Sequence, residues 1–153
     1  MKITDEPRDA ARRKRDVPAR LGRERDVWVA SADADGIPYL VALWFARDGE
    51  SFWLSTRAAN PTGRDLRHGR RARPALGDTR DVVLVDGDVE TYDAGQVPAA
   101  AAEAFTDRTG WDPRRESAAY AFFRVRPRAV QAWHGVHELP GRHVMRDGVW
   151  TSP

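Results

Sequence analysis

From Asp26 onward, hydrophobic and polar positions alternate in short runs rather than at helical spacing, which predicts strands. Val27-Trp28-Val29-Ala30 is β-branched and aromatic, and Asp33-Ala34-Asp35-Gly36 ends it with turn chemistry. Tyr39 to Phe45 is a second apolar run, followed by the turn Arg47-Asp48-Gly49-Glu50 and a third strand at Phe52-Trp53-Leu54. Three strands joined by short Asp-Gly turns predict an antiparallel meander. The pattern then changes: Asn60-Pro61 marks a helix start, and a short helix runs through Leu66 to end near Gly69. Strands are predicted at Ala72–Leu76 and Asp81–Val85, with a reversal at Asp86-Gly87-Asp88 into Val89–Tyr92. Pro98 opens an alanine-rich helix to Thr109, which Gly110 and Pro113 end. Tyr120–Val125 and Ala129–Trp133 form one last long strand interrupted at Pro127, and Arg146-Asp147-Gly148 is a further turn.

Ahead of the strands, residues 1–25 carry nine basic side chains, with Arg12, Arg13, Lys14 and Arg15 adjacent. Arg8–Arg15 reads as a helix that Pro18 terminates. The segment is either a basic arm or a helix packed on the body, residues 26–153 being one domain. Six or seven antiparallel strands with two or three short helices predict a mainly β fold, a barrel closed or partly closed to hide its edges.

Composition narrows the function. The 153 residues are enough for one domain with a real core. No apolar run approaches the roughly 18 residues of a spanning helix, and residues 1–25 lack a signal-peptide core, so the expected location is cytoplasmic with no membrane partner. Cysteine is absent, which excludes disulfides and thiolate chemistry. Net charge is only +2, and all but two of the 25 basic residues are arginine. Arginines interleaved with 23 acids predict a solvated surface, and nucleic acid is not an expected partner.

Candidate chemistry concentrates after the third strand. Phe52–Ser55 runs into Thr56-Arg57 and then into Thr62-Gly63-Arg64 at a helix start. Free amides and the positive end of a helix dipole favour an anion there. The Thr56 and Thr62 hydroxyls and the Arg57 and Arg64 guanidiniums would complete a phosphate site, and an ordinary loop with solvated arginines is the alternative. His134, His137 and His143 beside Glu138 match no recognised zinc spacing, so no metal is expected. Of the six tryptophans, Trp28 and Trp53 are expected in the core, while Trp44 and Trp133 are candidates for a ring wall.

The order of these elements resembles the pyridoxamine 5'-phosphate oxidase-like superfamily of flavin-binding split β-barrels, especially its short actinobacterial-type members. The matching stretches are Asp26-Val27-Trp28-Val29-Ala30, Asp35-Gly36-Ile37-Pro38, Thr79-Arg80-Asp81-Val82-Val83, Gly110-Trp111-Asp112-Pro113-Arg114 and Arg142 to Trp150. The resemblance implies an oxidoreductase using FMN, or the deazaflavin F420, on a small-molecule substrate; a non-catalytic flavin- or haem-binding protein is the other implied role. It places the flavin ring along Val41, Leu43, Trp44, Leu54, Ser55 and Thr56, and the phosphate at Thr56, Arg57, Thr62, Gly63 and Arg64. It also implies a homodimer with the cofactor at the interface. In that arrangement Trp133 reaches the partner's site, and Phe122, Val125 and Val130 lie along the seam that a half-open barrel would expose. Arg57 is followed by Ala58-Ala59 where relatives often carry a basic pair. The longer C-terminal pattern of true pyridoxamine phosphate oxidases is missing, so vitamin B6 oxidation is not implied. The resemblance names no catalytic side chain and no specific substrate.

Overall fold

A computed structural model describes residues 6–151, in which eight strands form one antiparallel sheet that closes on itself. The strands are β1 (Asp26–Ala32), β2 (Pro38–Asp48), β3 (Ser51–Arg57), β4 (Arg71–Ala75), β5 (Val82–Asp93), β6 (Tyr120–Trp133), β7 (His143–Arg146) and β8 (Val149–Trp150). Their order is β3-β2-β1-β4-β5-β6-β7-β8, and β6 pairs back onto β3, closing a six-stranded barrel with β7 and β8 as an extension. Three helices accompany the barrel: α1 (Ala10–Arg23), α2 (Pro61–Gly69) and α3 (Ala99–Thr109). The expected meander is β1-β2-β3, with Val27 facing Leu43 and Phe45 facing Leu54. The tail turn is a tight hairpin in which Asp147 and Gly148 both take positive φ, as a two-residue turn of this hand requires.

The barrel interior is filled by Val27, Val29, Phe45, Phe52, Leu54, Val85, Phe123 and Val125, among others. A second cluster lies outside it, where α3 covers β2, β3 and β6 with Phe105, Ala102, Trp53 and Phe122. Covered on both faces, β3 has no exposed residue before Arg57.

Four expectations need correction. Asp86-Gly87-Asp88 is no reversal: β5 runs unbroken from Val82 to Asp93. Gly87 serves close approach there, since a Cβ would collide with Val125 Cγ1. Nor does Pro127 break β6; Asp86 pairs with Ala129 and Gly87 with Pro127, so β6 carries Arg128 as an extra residue in a bulge. Pro18 sits inside α1 instead of ending it. Finally, because β3–β6 pairing closes the barrel, Phe122, Val125 and Val130 are buried within this chain instead of lying on a wet seam.

The basic residues 8–23 are folded onto the body. Arg8 donates to Glu138 through its amide (2.6 Å), Nη2 (2.8 Å) and Nε (3.2 Å). Arg13 donates to the Glu138 carbonyl (2.9 Å), and Arg20 to the Asp81 carbonyl (2.8 Å). Three of the arginines that suggested a basic arm are therefore buried and fasten α1 to the segment after β6 and to the start of β5.

Candidate functional site: a groove where two strands part

The β2–β3 ladder is short. It joins Phe45 to Leu54 and runs to the turn at Asp48 and Ser51. Before Phe45, β2 pairs only with β1; after Leu54, β3 pairs only with β6. The two strands diverge, and every second residue along each parted edge has backbone groups without a ladder partner. A groove of about 600 Å³ occupies the opening, lined by Asp26, Ala42, Leu43, Trp44, Ser55, Thr56, Arg57, Asn60, Trp111 and Tyr120.

One wall is aromatic. Trp111 meets Tyr120 edge-on with ring centroids 5.1 Å apart and Trp44 at 6.2 Å. It is anchored from behind by Phe105 at 6.1 Å and by a hydrogen bond from its indole nitrogen to Glu116 (2.8 Å). The Thr109 hydroxyl, which accepts from the Trp111 amide at 3.2 Å, fixes the backbone just past Gly110. Such edge-to-face contacts leave ring faces available for a flat ligand.

The other end of the groove is cationic. Arg57 is exposed at the end of β3 and donates Nε to the Tyr120 hydroxyl at 3.4 Å, the first cause of its raised pKa. The phenol oxygen accepts that bond, so its own O–H remains a donor. Just beyond, Asn60 caps α2 by position, but its side chain makes no capping bond; it donates instead to the Thr56 hydroxyl at 3.4 Å. The first-turn amides of α2 thus have no side-chain cap. Thr62 Oγ1 is buried with no hydrogen-bond partner among the described residues. Gly63 is required for this turn to lie on the end of β3, because a Cβ would overlap the Arg57 carbonyl oxygen.

Of the site residues expected from sequence, Leu43, Trp44, Ser55, Thr56 and Arg57 line the groove together. Leu54 is buried in the barrel core and Val41 packs against that core; neither is among the residues lining the groove. Thr62 and Gly63 are buried behind Asn60, while Arg64 is exposed on α2. Trp133 is half-buried at the opposite end of β6 from Tyr120, away from its own chain's groove. Trp28 is not a core residue: it is 45% exposed on the outer face of β1. Trp111 and Tyr120 were missed because the signals around them, Gly110 and Pro113, speak only of a helix end; their role depends on a contact across the fold. Among the histidines, His134 Nε2 lies 3.0 Å from Asp81, and the described residues contain no cluster of metal-ligating side chains.

A family model described as pyridoxamine 5'-phosphate oxidase matches residues 15–134. The chain belongs to that family. Curated proteins give no sequence match. Solved structures with the same fold include a conserved hypothetical protein from Mycobacterium tuberculosis, with 19% identity and TM-score 0.64, covering 79% of this chain and 84% of that one. An F420 reductase shares 24% identity with TM-score 0.58, covering 72% and 91%. A heme binding protein from Mycobacterium smegmatis shares 20% with TM-score 0.65, covering 94% of this family member and 60% of its own chain. At these identities the likeness is one of fold, and it embraces proteins with different cofactors.

Proposed function

We propose that the groove between β2 and β3 holds a phosphorylated flavin-type cofactor, FMN first and F420 as the alternative. The protein would then be an oxidoreductase acting on a small molecule. The observation that carries this reading is the gradient along one groove, from the aromatic wall of Trp44, Trp111 and Tyr120 to Arg57 and the uncapped start of α2. A flat ring fits the first part and an anion the second. The parted edges of Ala42–Trp44 and Ser55–Arg57 offer backbone donors and acceptors for a heteroaromatic ring edge. When bound, the cofactor supplies the hydride or electron chemistry; this chain's residues orient it and hold its charge. The F420 reductase neighbour supports the deazaflavin alternative.

A haem fits the same residues less well. The groove lining contains no histidine or methionine to ligate iron, and Tyr120 is the one lining side chain of a type that ligates haem iron in other proteins. The heme binding neighbour keeps this reading as the rival to be tested.

The groove is open to solvent beside an apolar outer face on β1 and β2, where Trp28, Leu40 and Trp44 are each about half exposed and Ala42 faces Trp28. A second copy covering this face would shut the groove and make a homodimer, consistent with the rarity of exposed apolar patches on monomers.

The test is the absorbance spectrum of purified protein before and after adding FMN, F420 or haem. Saturable binding of FMN or F420, with bleaching on reduction, supports the reading. A Soret band formed at stoichiometric haem, with no flavin or deazaflavin binding, would replace it with the rival.

A further inference from the structure

At the other end of the barrel, α1 lies across a second cavity of about 280 Å³, unconnected with the β2–β3 groove. Residues distant in sequence converge on it: Lys14, Val17, Pro18 and Leu21 from α1, Arg47 and Glu50 beside the β2–β3 turn, Val85 from β5, Pro127 and Val130 from β6, and Trp150 from β8. Its floor and walls are hydrocarbon and indole. Its rim is polar, and the charges there are not balanced. Glu50 accepts the Trp150 indole N–H at 2.9 Å, which ties the C-terminal hairpin to the β2–β3 turn. Neither Lys14 nor Arg47 has a carboxylate within ion-pair distance among the described residues; Arg47 donates only to the carbonyls of Gly49 (2.8 Å) and Pro18 (3.2 Å).

Two departures from regular structure border this space. Pro18 has no amide to give the Lys14 carbonyl, so the ladder of α1 has a gap in the turn that walls the cavity. Pro127 lies at the β6 bulge, where Arg128 is an extra residue opposite β5. An interior helical proline is a local conflict of the kind that real sequences carry at functional sites.

We infer that this cavity is a second ligand site, for a small carboxylate with an apolar body, such as a medium-chain alkyl or aryl acid. The tail lies among Val17, Leu21, Val85, Val130 and Trp150, and the carboxylate meets Lys14 and Arg47 at the rim. The volume lies at the lower edge of the roughly 300–1,000 Å³ of sites for drug-sized ligands, which suits a small ligand. The inference is independent of what the β2–β3 groove binds.

The test is calorimetric titration of the full chain with octanoate, with octylammonium as the comparator of opposite charge. Octanoate is expected to bind saturably, and octylammonium at least tenfold more weakly. The Lys14→Ala/Arg47→Ala variant should lose about tenfold in octanoate affinity, the scale of two exposed charge contacts. Leu21→Trp, which fills the cavity from a half-buried position, should abolish binding. Should that variant melt early, Val130→Met narrows the same space from the floor. No saturable octanoate binding to the unaltered protein, equal affinity for octylammonium, or binding untouched by a folded cavity-filling variant would overturn the inference.

Discussion

Replacing Glu138 by glutamine tests how α1 is attached, and the structure sets the size of the effect. Glu138 is 1% exposed, and its carboxylate accepts from the Arg8 guanidinium, the Arg8 amide and the His134 amide (2.8 Å). Burial by itself pushes its pKa up. The hydrogen bonds from Arg8 and the His134 amide, together with the charge of Arg8, outweigh that and hold it at about 2, against an ordinary 4.5. A carboxylate depressed on folding contributes stability that is complete above the unfolded value. It is lost as pH falls from about 4.5 towards 2. At about 1.4 kcal/mol per unit, the pH-dependent part is about 3 kcal/mol. Glu138→Gln keeps the shape but leaves Arg13 buried without its counter-charge and Arg8 with only the partly exposed Asp16 (2.9 Å), for which about 3–5 kcal/mol is expected. At about 2–4 °C per kcal/mol for a domain near this size, the melting temperature at pH 7 should fall by about 6–20 °C. Thermal melts of both proteins between pH 8 and pH 3 provide the assay. The gap should be constant down to about pH 5 and narrow below it, as the unaltered protein loses its own advantage. A gap under about 2 °C at pH 7, or one that does not narrow in acid, refutes the reasoning.

Other expected outcomes concern the groove. Gly63→Ala would be mildly stabilising on helix propensity alone, but its Cβ overlaps the Arg57 carbonyl; a loss of about 1–3 kcal/mol in melts, together with weaker cofactor binding, is predicted. Trp111→Ala should cost less stability than the ~3–5 kcal/mol of a fully buried tryptophan, because Trp111 is only partly buried, yet lower cofactor affinity in a spectroscopic titration. Changing Trp28 and Leu40 together to serine should shift sedimentation towards monomer if the outer face of β1 and β2 is the dimer contact, with little change in the monomer's own melting.

What could be read from sequence follows from how local each signal was. The β1–β2–β3 meander and the end of α3 at Gly110, with φ of 76°, rest on turn chemistry and alternation within a few residues. Asp86-Gly87-Asp88 carries the same chemistry and misleads, because its glycine answers to Val125 across the sheet. Pro18 misleads likewise: the helix continues past it, and Arg47 from the β2–β3 turn bonds to its carbonyl. In the groove, Thr56-Arg57 and the Asn60-Pro61 helix start were legible as a strand end running into a helix start, and the structure brings Thr56, Arg57 and Asn60 together there. The aromatic wall was not, since Trp111 and Tyr120 flank a loop whose path is set by Phe105, Trp44 and Glu116. Leu54 is buried because β3 is covered on both faces, whereas Trp28 is exposed because the outer face of β1 is bare.

The central claim is that one groove binds a phosphorylated ring through Arg57 at its cationic end, assisted by Arg64 on α2. Fluorescence titration of the unaltered protein and of Arg57→Ala/Arg64→Ala with FMN, and in parallel with F420, tests it most directly. Saturable binding of one cofactor is predicted, weakened by about 1.5–3 kcal/mol, or roughly 10- to 150-fold, in the folded double variant. Binding of equal strength in both proteins, or no binding of either cofactor by the unaltered chain, would contradict it.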